Sequence, residues 1–200
     1  MTRTMLEQET IFPVALDVNS FGMSDERFYQ LCQDNEDLRL ELTADGELII
    51  MAPTGGATGS RNSKINARLT NWAEQDDSGI SFDSSTMFCL PTGAKRSPDA
   101  AWVRRDRWEA LTEDERESFV PLCPDFVLEL CSRTDSIQFL QRKMQEYVDN
   151  GAQLGFLLGS KSKRVFVYRP NCPVECIDDG LTVSGDPVLP GFVLNLKEIW

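Results

Sequence analysis

The sequence predicts a mixed α/β (α+β) domain with helices packed on a central β-sheet. Three observations predict it. Apolar residues recur three and four apart in some segments and at alternate positions in others, so the chain carries both helical and strand periods. These segments follow in the order helix, several strands, helix, strands, with Gly, Pro and Asp between them. Finally, 200 residues, 41% hydrophobic and 26% charged, suit one domain with a sizeable core, and no apolar run is long enough to span a bilayer. We expect residues 1–24 to form an N-terminal arm and residues 25–200 a single domain.

Taken in order, residues 1–20 show no clear period. Ser24 is placed to cap a helix over about 25–35, where Phe28, Leu31 and Cys32 stand three and four apart. A hairpin follows: residues 38–43 alternate, Asp45-Gly46 supplies the turn, and residues 48–52 read as the return strand. Residues 53–60 form a glycine-rich loop feeding a helix over about 60–75, with Ile65, Leu69 and Trp72 on one buried stripe. That loop ends Gly59-Ser60-Arg61 rather than Gly-Lys-Ser/Thr, so it reads as a strand-to-helix link and not as a phosphate cradle.

Residues 79–83 and 86–90 read as two strands joined by a Ser-Ser turn, 91–97 as loop, and 99–103 as a strand. Residues 107–118 look like an acidic surface helix. A strand over 125–131 precedes a helix over 137–150 that stops at Gly151. Two further strands, 154–159 and 164–168, flank the polar turn 160–163, and short strands lead to the end at 196–200.

Composition narrows the chemistry. The chain has no histidine, which excludes Ser-His-Asp and Cys-His mechanisms and leaves carboxylates, lysine and a hard metal ion. Six cysteines scattered singly suit reduced, mostly buried thiols, and Cys172 and Cys176 read as two thiols flanking a turn rather than half a zinc site. The opening residues lack the charged-then-apolar pattern of a secretory signal, so we expect a cytoplasmic protein without membrane contact. A net charge of −12 opposes nonspecific binding to nucleic acid. The surplus is uneven: residues 1–50 hold 11 acids against 3 bases, whereas Lys95, Arg96, Arg104, Arg105 and Arg107 surround Asp99 and suggest an anionic ligand there.

Two apolar runs entered through Pro-Asp each hold one carboxylate: Pro98-Asp99-Ala-Ala-Trp-Val and Pro124-Asp-Phe-Val-Leu-Glu129-Leu-Cys. Strand alternation sets Asp99 with Ala101 and Val103, and Glu129 with Val127 and Cys131. Burying either charge unpaired costs several kcal/mol, and a shared divalent ion satisfies both, Mg²⁺ being held by one or two carboxylates and water. Lys143 lies ~10 Å along its helix. Glu129 lies ~7 Å back along its strand, so a helix folding onto the sheet brings the two level. Spacing alone favours a surface lysine paired with Glu146, just as Asp99 after Pro98 fits a simple turn carboxylate. Glu129, inside an apolar run, is the hardest of the three to explain as structure.

These residues, in this order, resemble the large bacterial family of restriction-endonuclease-like proteins of the PD-(D/E)XK nuclease superfamily. The resemblance rests on Pro98-Asp99, Glu129-Leu-Cys-Ser132 and Lys143-x-x-x-Tyr147-x-x-x-Gly151, together with Leu40-Glu41-Leu, Asp45-Gly46-Glu47 and Met51-Ala-Pro53, and covers about residues 25–170. It implies a restriction-endonuclease-like core in which Asp99, Glu129 and the backbone carbonyl of Leu130 bind Mg²⁺ or Mn²⁺. It also implies that Lys143 orients or activates water and that Glu41 reaches the site. The superfamily lysine stands two residues after the glutamate, where this chain has Cys131. Family members usually carry an aromatic pair and a terminal acid in the strand after the helix, where this chain reads Gly155-Phe-Leu-Leu-Gly159.

The expectation is therefore a Mg²⁺-dependent endonuclease acting on DNA, with a homodimer suited to two-strand cleavage. Two alternatives stand beside it: a non-catalytic interaction or dimerisation module on a nuclease scaffold, and a carboxylate-metal phosphatase acting on small phosphoesters.

Overall fold

A computed structural model of the chain describes residues 13–132 and 135–200. The strands are β1 (Val14–Asp17), β2 (Arg39–Leu42), β3 (Glu47–Met51), β4 (Gly79–Asp83), β5 (Phe88–Cys89), β6 (Lys95–Arg96), β7 (Ala100–Arg104), β8 (Phe126–Cys131), β9 (Leu154–Gly159), β10 (Arg164–Tyr168), β11 (Glu175–Asp178), β12 (Thr182–Ser184) and β13 (Val193–Asn195). The helices are α1 (Asp25–Asp34), α2 (Gly56–Asp76), α3 (Arg105–Glu109), α4 (Glu113–Glu117) and α5 (Ile137–Asp149). This is the mixed α+β domain expected, but its strands are divided between sheets.

The larger sheet has the order β11-β10-β9-β8-β7-β4, antiparallel throughout except for the parallel pair β8–β9 that α5 connects. Strand alternation gives it two buried faces. Phe126, Leu128 and Leu130 pack with Ile65, Leu69 and Ala73 of α2 and with Leu189, Phe192 and Leu194 near the C-terminus. On the other face, Val127 and Leu157 meet Leu140, Met144 and Tyr147 of α5. Glu129 shares this second face by period two, which is why it looks toward α5. The smaller antiparallel sheet, β1-β3-β2-β6-β5, buries Leu40, Leu42 and Leu48 against Phe28 of α1. Glu41 lies between two of those leucines and so points the opposite way, with no exposed surface.

Several expectations are corrected. Residues 14–17 of the arm are a strand paired to β3, while residues 1–12 lie outside the described residues. Helix α2 begins at Gly56, four residues before the predicted start, so half of the supposed loop is its first turn. Strands β4 and β5 form no hairpin. β4 pairs with β7, whereas β5 pairs with β6, a strand inside the stretch read as loop. The acidic helix is two short ones, because Thr112 starts α4 afresh with a capping box to Glu115. The six cysteines are free, but only Cys123 is buried, and Cys172 and Cys176 are exposed. No helix among the described residues is long and apolar enough to cross a membrane.

Candidate active site

The β7–β8 ladder ends at Ala100 opposite Leu128, so one step further Asp99 faces Glu129 across the strands. Opposite residues of an antiparallel pair share a face with Cβ atoms about 5 Å apart. The two acids therefore meet at one strand end although they stand 30 positions apart in the sequence, and both line a cleft of about 410 Å³. Asp99 is held on both oxygens. Its Oδ2 accepts from the Leu130 N–H at 2.8 Å and its Oδ1 from the Asn62 amide at 2.9 Å. Asn66, one turn along α2, donates to the Asp99 carbonyl at 2.9 Å.

Lys143 is buried, with 3% of its surface exposed, against the outward lysine that spacing favours. It stands three residues after Leu140 and four before Tyr147, on the edge of the buried stripe of α5, and its ammonium reaches the strand ends. Nζ lies 2.7 Å from Glu129 Oε1 and 2.8 Å from Glu41 Oε1. A longer bond of 3.4 Å runs to the Ser97 carbonyl. Glu146, the partner expected for Lys143, is instead bonded by Arg96 at 2.5 Å. Arg96 also donates to Glu41 Oε2 at 3.0 Å, and the Ser97 N–H donates to Glu41 Oε1 at 2.9 Å. All four sequence-predicted side chains, Asp99, Glu129, Lys143 and Glu41, thus converge, and Leu130 lines the same cleft.

Burial sets the protonation pattern. It pushes the Glu129 carboxyl up to about 8, and the negative charges of Asp99 and Glu41 add to that rise while Lys143 opposes it. Burial likewise raises Asp99. For Glu41, burial is outweighed by Lys143 and Arg96, which hold its carboxyl below the usual range. Burial works against the Lys143 charge too, but Glu129 and Glu41 prevail and keep it raised. The Tyr147 hydroxyl donates to Glu129 Oε1 at 3.3 Å and, with its pKa raised well above normal by burial, stays a donor.

Among the described residues, no group of three His, Cys, Asp or Glu side chains forms a ready metal cage. Two facing carboxylates still suit a hard divalent cation that keeps several waters. Glu129 Oε2 accepts no hydrogen bond from a described residue, and both acids resist ionising without added positive charge nearby. The residues present therefore fit such an ion.

The basic cluster read around Asp99 does not line the cleft. Lys95 pairs with Asp25 and Arg96 with Glu41 and Glu146, while Arg104, Arg105 and Arg107 pair with Asp106, Asp77 and Asp125. The last three lie at the far end of β7, ~16 Å from Asp99 along the strand. Sequence reasoning also missed Asn62 and Asn66, and it read Arg96 as facing an anionic ligand rather than Glu41 and Glu146. The available signal was the i,i+4 spacing of the two asparagines beside the Ile65–Leu69 stripe, which puts both amides on one edge of the buried face.

The mixed sheet packed between helices is the architecture expected of a restriction-endonuclease-like core. The chain belongs to the family described as "Uma2: Putative restriction endonuclease", whose profile matches residues 25–197. Its fold is shared by a crystal structure titled a "putative nuclease belonging to DUF820", from Anabaena variabilis ATCC 29413. That match has a TM-score of 0.68 at 19% identity, covering 80% of this chain and 88% of that one. No curated protein matches the sequence.

Proposed function

We propose that the protein is a divalent-metal-dependent endonuclease that hydrolyses phosphodiester bonds in DNA. The observation that carries this reading is the meeting of Asp99, Glu129 and the buried Lys143 in one open cleft. Asp99, Glu129 and the Leu130 carbonyl would hold a Mg²⁺ or Mn²⁺ ion, which when bound would supply polarisation of a phosphoryl oxygen and a lower pKa for water. The chain's own residues do the rest. Lys143 stays charged because two carboxylates face it, and it presents that charge where negative charge grows on the phosphate. Its weakest bond, to the Ser97 carbonyl, is the one most readily exchanged for a substrate or water oxygen. Glu41 is the positioning residue for Lys143, and Arg96 shares the Glu41 charge so that the ammonium is not fully quenched. Asn62 and the Leu130 N–H fix the Asp99 carboxylate. A homodimer would present two such clefts to two strands.

The test is a supercoiled plasmid incubated with the purified chain and Mg²⁺ or Mn²⁺, beside Glu129→Ala and Lys143→Ala. Nicking by the wild-type chain, lost with EDTA and in both variants, supports the reading. Equal nicking by all three proteins, or none by any, overturns it and leaves a non-catalytic module on a nuclease scaffold.

A further inference from the structure

We propose that Arg39 and Arg61 form a two-point phosphate clamp, gripping the phosphates that adjoin the scissile one and limiting the cleft to a short footprint on a DNA strand. This rests on the nuclease reading above and adds what the site holds beyond the reacting bond.

The acids at the cleft floor outnumber the cations committed to them: Glu41, Asp99 and Glu129 stand against Lys143, while Arg96 is shared by Glu41 and Glu146. An anionic strand needs positive charge elsewhere along the cleft. Two guanidiniums supply it. Arg39 and Arg61 both line the cleft, and neither pairs with a carboxylate among the described residues. Each is instead pinned by one backbone carbonyl. Arg39 Nη2 donates to Ser84 O at 3.1 Å, and Arg61 Nε donates to Ile199 O at 2.6 Å. A guanidinium has five N–H donors in a rigid fork, so one bond orients each group and leaves the other donors for phosphate oxygens.

Their places in the fold support the pairing. Arg39 is two residues before Glu41 on the same face of β2, and its charge is felt at Asp99. Arg61 directly precedes Asn62, the residue that holds Asp99 Oδ1. The two cations thus enter one cleft from two elements, one at the Lys143 side of the cluster and one at the Asn62 side. With so few contacts on a chain of net charge −12, binding to duplex is weak and only mildly salt-dependent.

The test uses the full chain carrying Glu129→Gln, which cannot turn over, with a fluorescent 20-bp duplex and anisotropy over a salt series. Each phosphate contact contributes about −0.9 to the slope of log affinity against log salt, so Arg39→Ala or Arg61→Ala each makes the slope shallower by about 0.9. Arg→Lys at either position keeps the slope while weakening affinity, which a purely structural role would not do. Arg104→Ala, at the far end of β7, leaves it unchanged. In the otherwise wild-type chain each alanine raises KM and spares kcat. Slopes untouched in both alanine variants, or lowered equally by Arg104→Ala, overturn the clamp while cleavage by the wild-type chain leaves the nuclease reading standing. Inorganic phosphate competing as well as the oligonucleotide, phosphate for phosphate, overturns the strand footprint in favour of a single-phosphate site. Absence of both cleavage and binding overturns the two proposals together.

Discussion

With its carboxyl raised by burial to about 8, Glu129 keeps a proton in the metal-free native chain that the unfolded chain loses near its ordinary 4.5. The native state therefore binds more protons than the unfolded state between those values. The stability this contributes is fully present below pH 4.5 and is lost as pH rises to 8, with a slope of up to about 1.4 kcal/mol per pH unit. Asp99, also raised, acts in the same direction, whereas Glu41, lowered, loses its contribution only as pH falls below 4.5. Urea unfolding in EDTA from pH 5 to 8 should show the midpoint falling, and Glu129→Gln should flatten that fall; an equally steep fall in the variant contradicts the assignment. Removing Lys143 has a different cost, since Lys143→Ala takes one of the two buried cations from Glu41, leaving its buried charge to Arg96 alone. A loss of about 3–5 kcal/mol is expected in the same assay at pH 7. Asn62→Ala removes the donor to Asp99 Oδ1 and should lower activity or metal affinity by about 10- to 100-fold, read by metal titration as well as by rate. The acids of this site were legible because carboxylates amid apolar residues demand an explanation. The state of Lys143 was not legible from spacing, since Glu146 offers a local partner three residues away, whereas its partners are Glu129 on another strand and Glu41, 102 positions distant.

At the scale of elements, boundaries set by local chemistry were readable and strand partners were not. The β2–β3 hairpin follows from alternation and from Gly46 at φ +78°, and α5 runs from its Ser136 cap to Gly151 at φ +113°. Strands β4 and β5 look alike in sequence yet belong to different sheets, because the choice depends on which partner edge lies near, a tertiary fact. Strand β6 has two residues, too few to show a period. Helix α2 begins among glycines that favour loop by propensity, and packing of Ile65, Leu69 and Ala73 overrides them. Its other end shows how closely α2, β4 and β7 are joined. A Cβ on Gly79, at the start of β4, would sit 2.3 Å from the Val103 carbonyl and 2.4 Å from the Trp102 ring. Backbone cannot move aside as a side-chain tip can, so Gly79→Ala should cost about 1–3 kcal/mol. The measurement is the melting temperature, expected to fall by about 2–4 °C per kcal/mol for a chain of this size. An unchanged melting temperature would mean that the β4–β7 edge yields more easily than its contacts imply.

For the molecule as a whole, the question is whether a divalent ion acts at one place or merely screens a surface of net charge −12. Any salt relieves self-repulsion in so acidic a chain, so a rise in stability on adding Mg²⁺ proves nothing unless ionic strength is held constant with NaCl. Specific binding differs in size and in pH dependence. An ion that binds only the native state at 100 times its dissociation constant adds about 2.7 kcal/mol, and thus ~5–10 °C in melting temperature. Because the same ion must displace the proton that Glu129 holds up to about pH 8, the shift should be larger at pH 8 than at pH 5. Glu129→Ala should abolish the Mg²⁺ or Mn²⁺ shift while leaving the NaCl response intact, and Arg104→Ala should preserve both. If Glu129→Ala keeps the full divalent shift, the ion sits elsewhere on the acidic surface, and Asp99 and Glu129 are a buried pair neutralised by Lys143 and a proton.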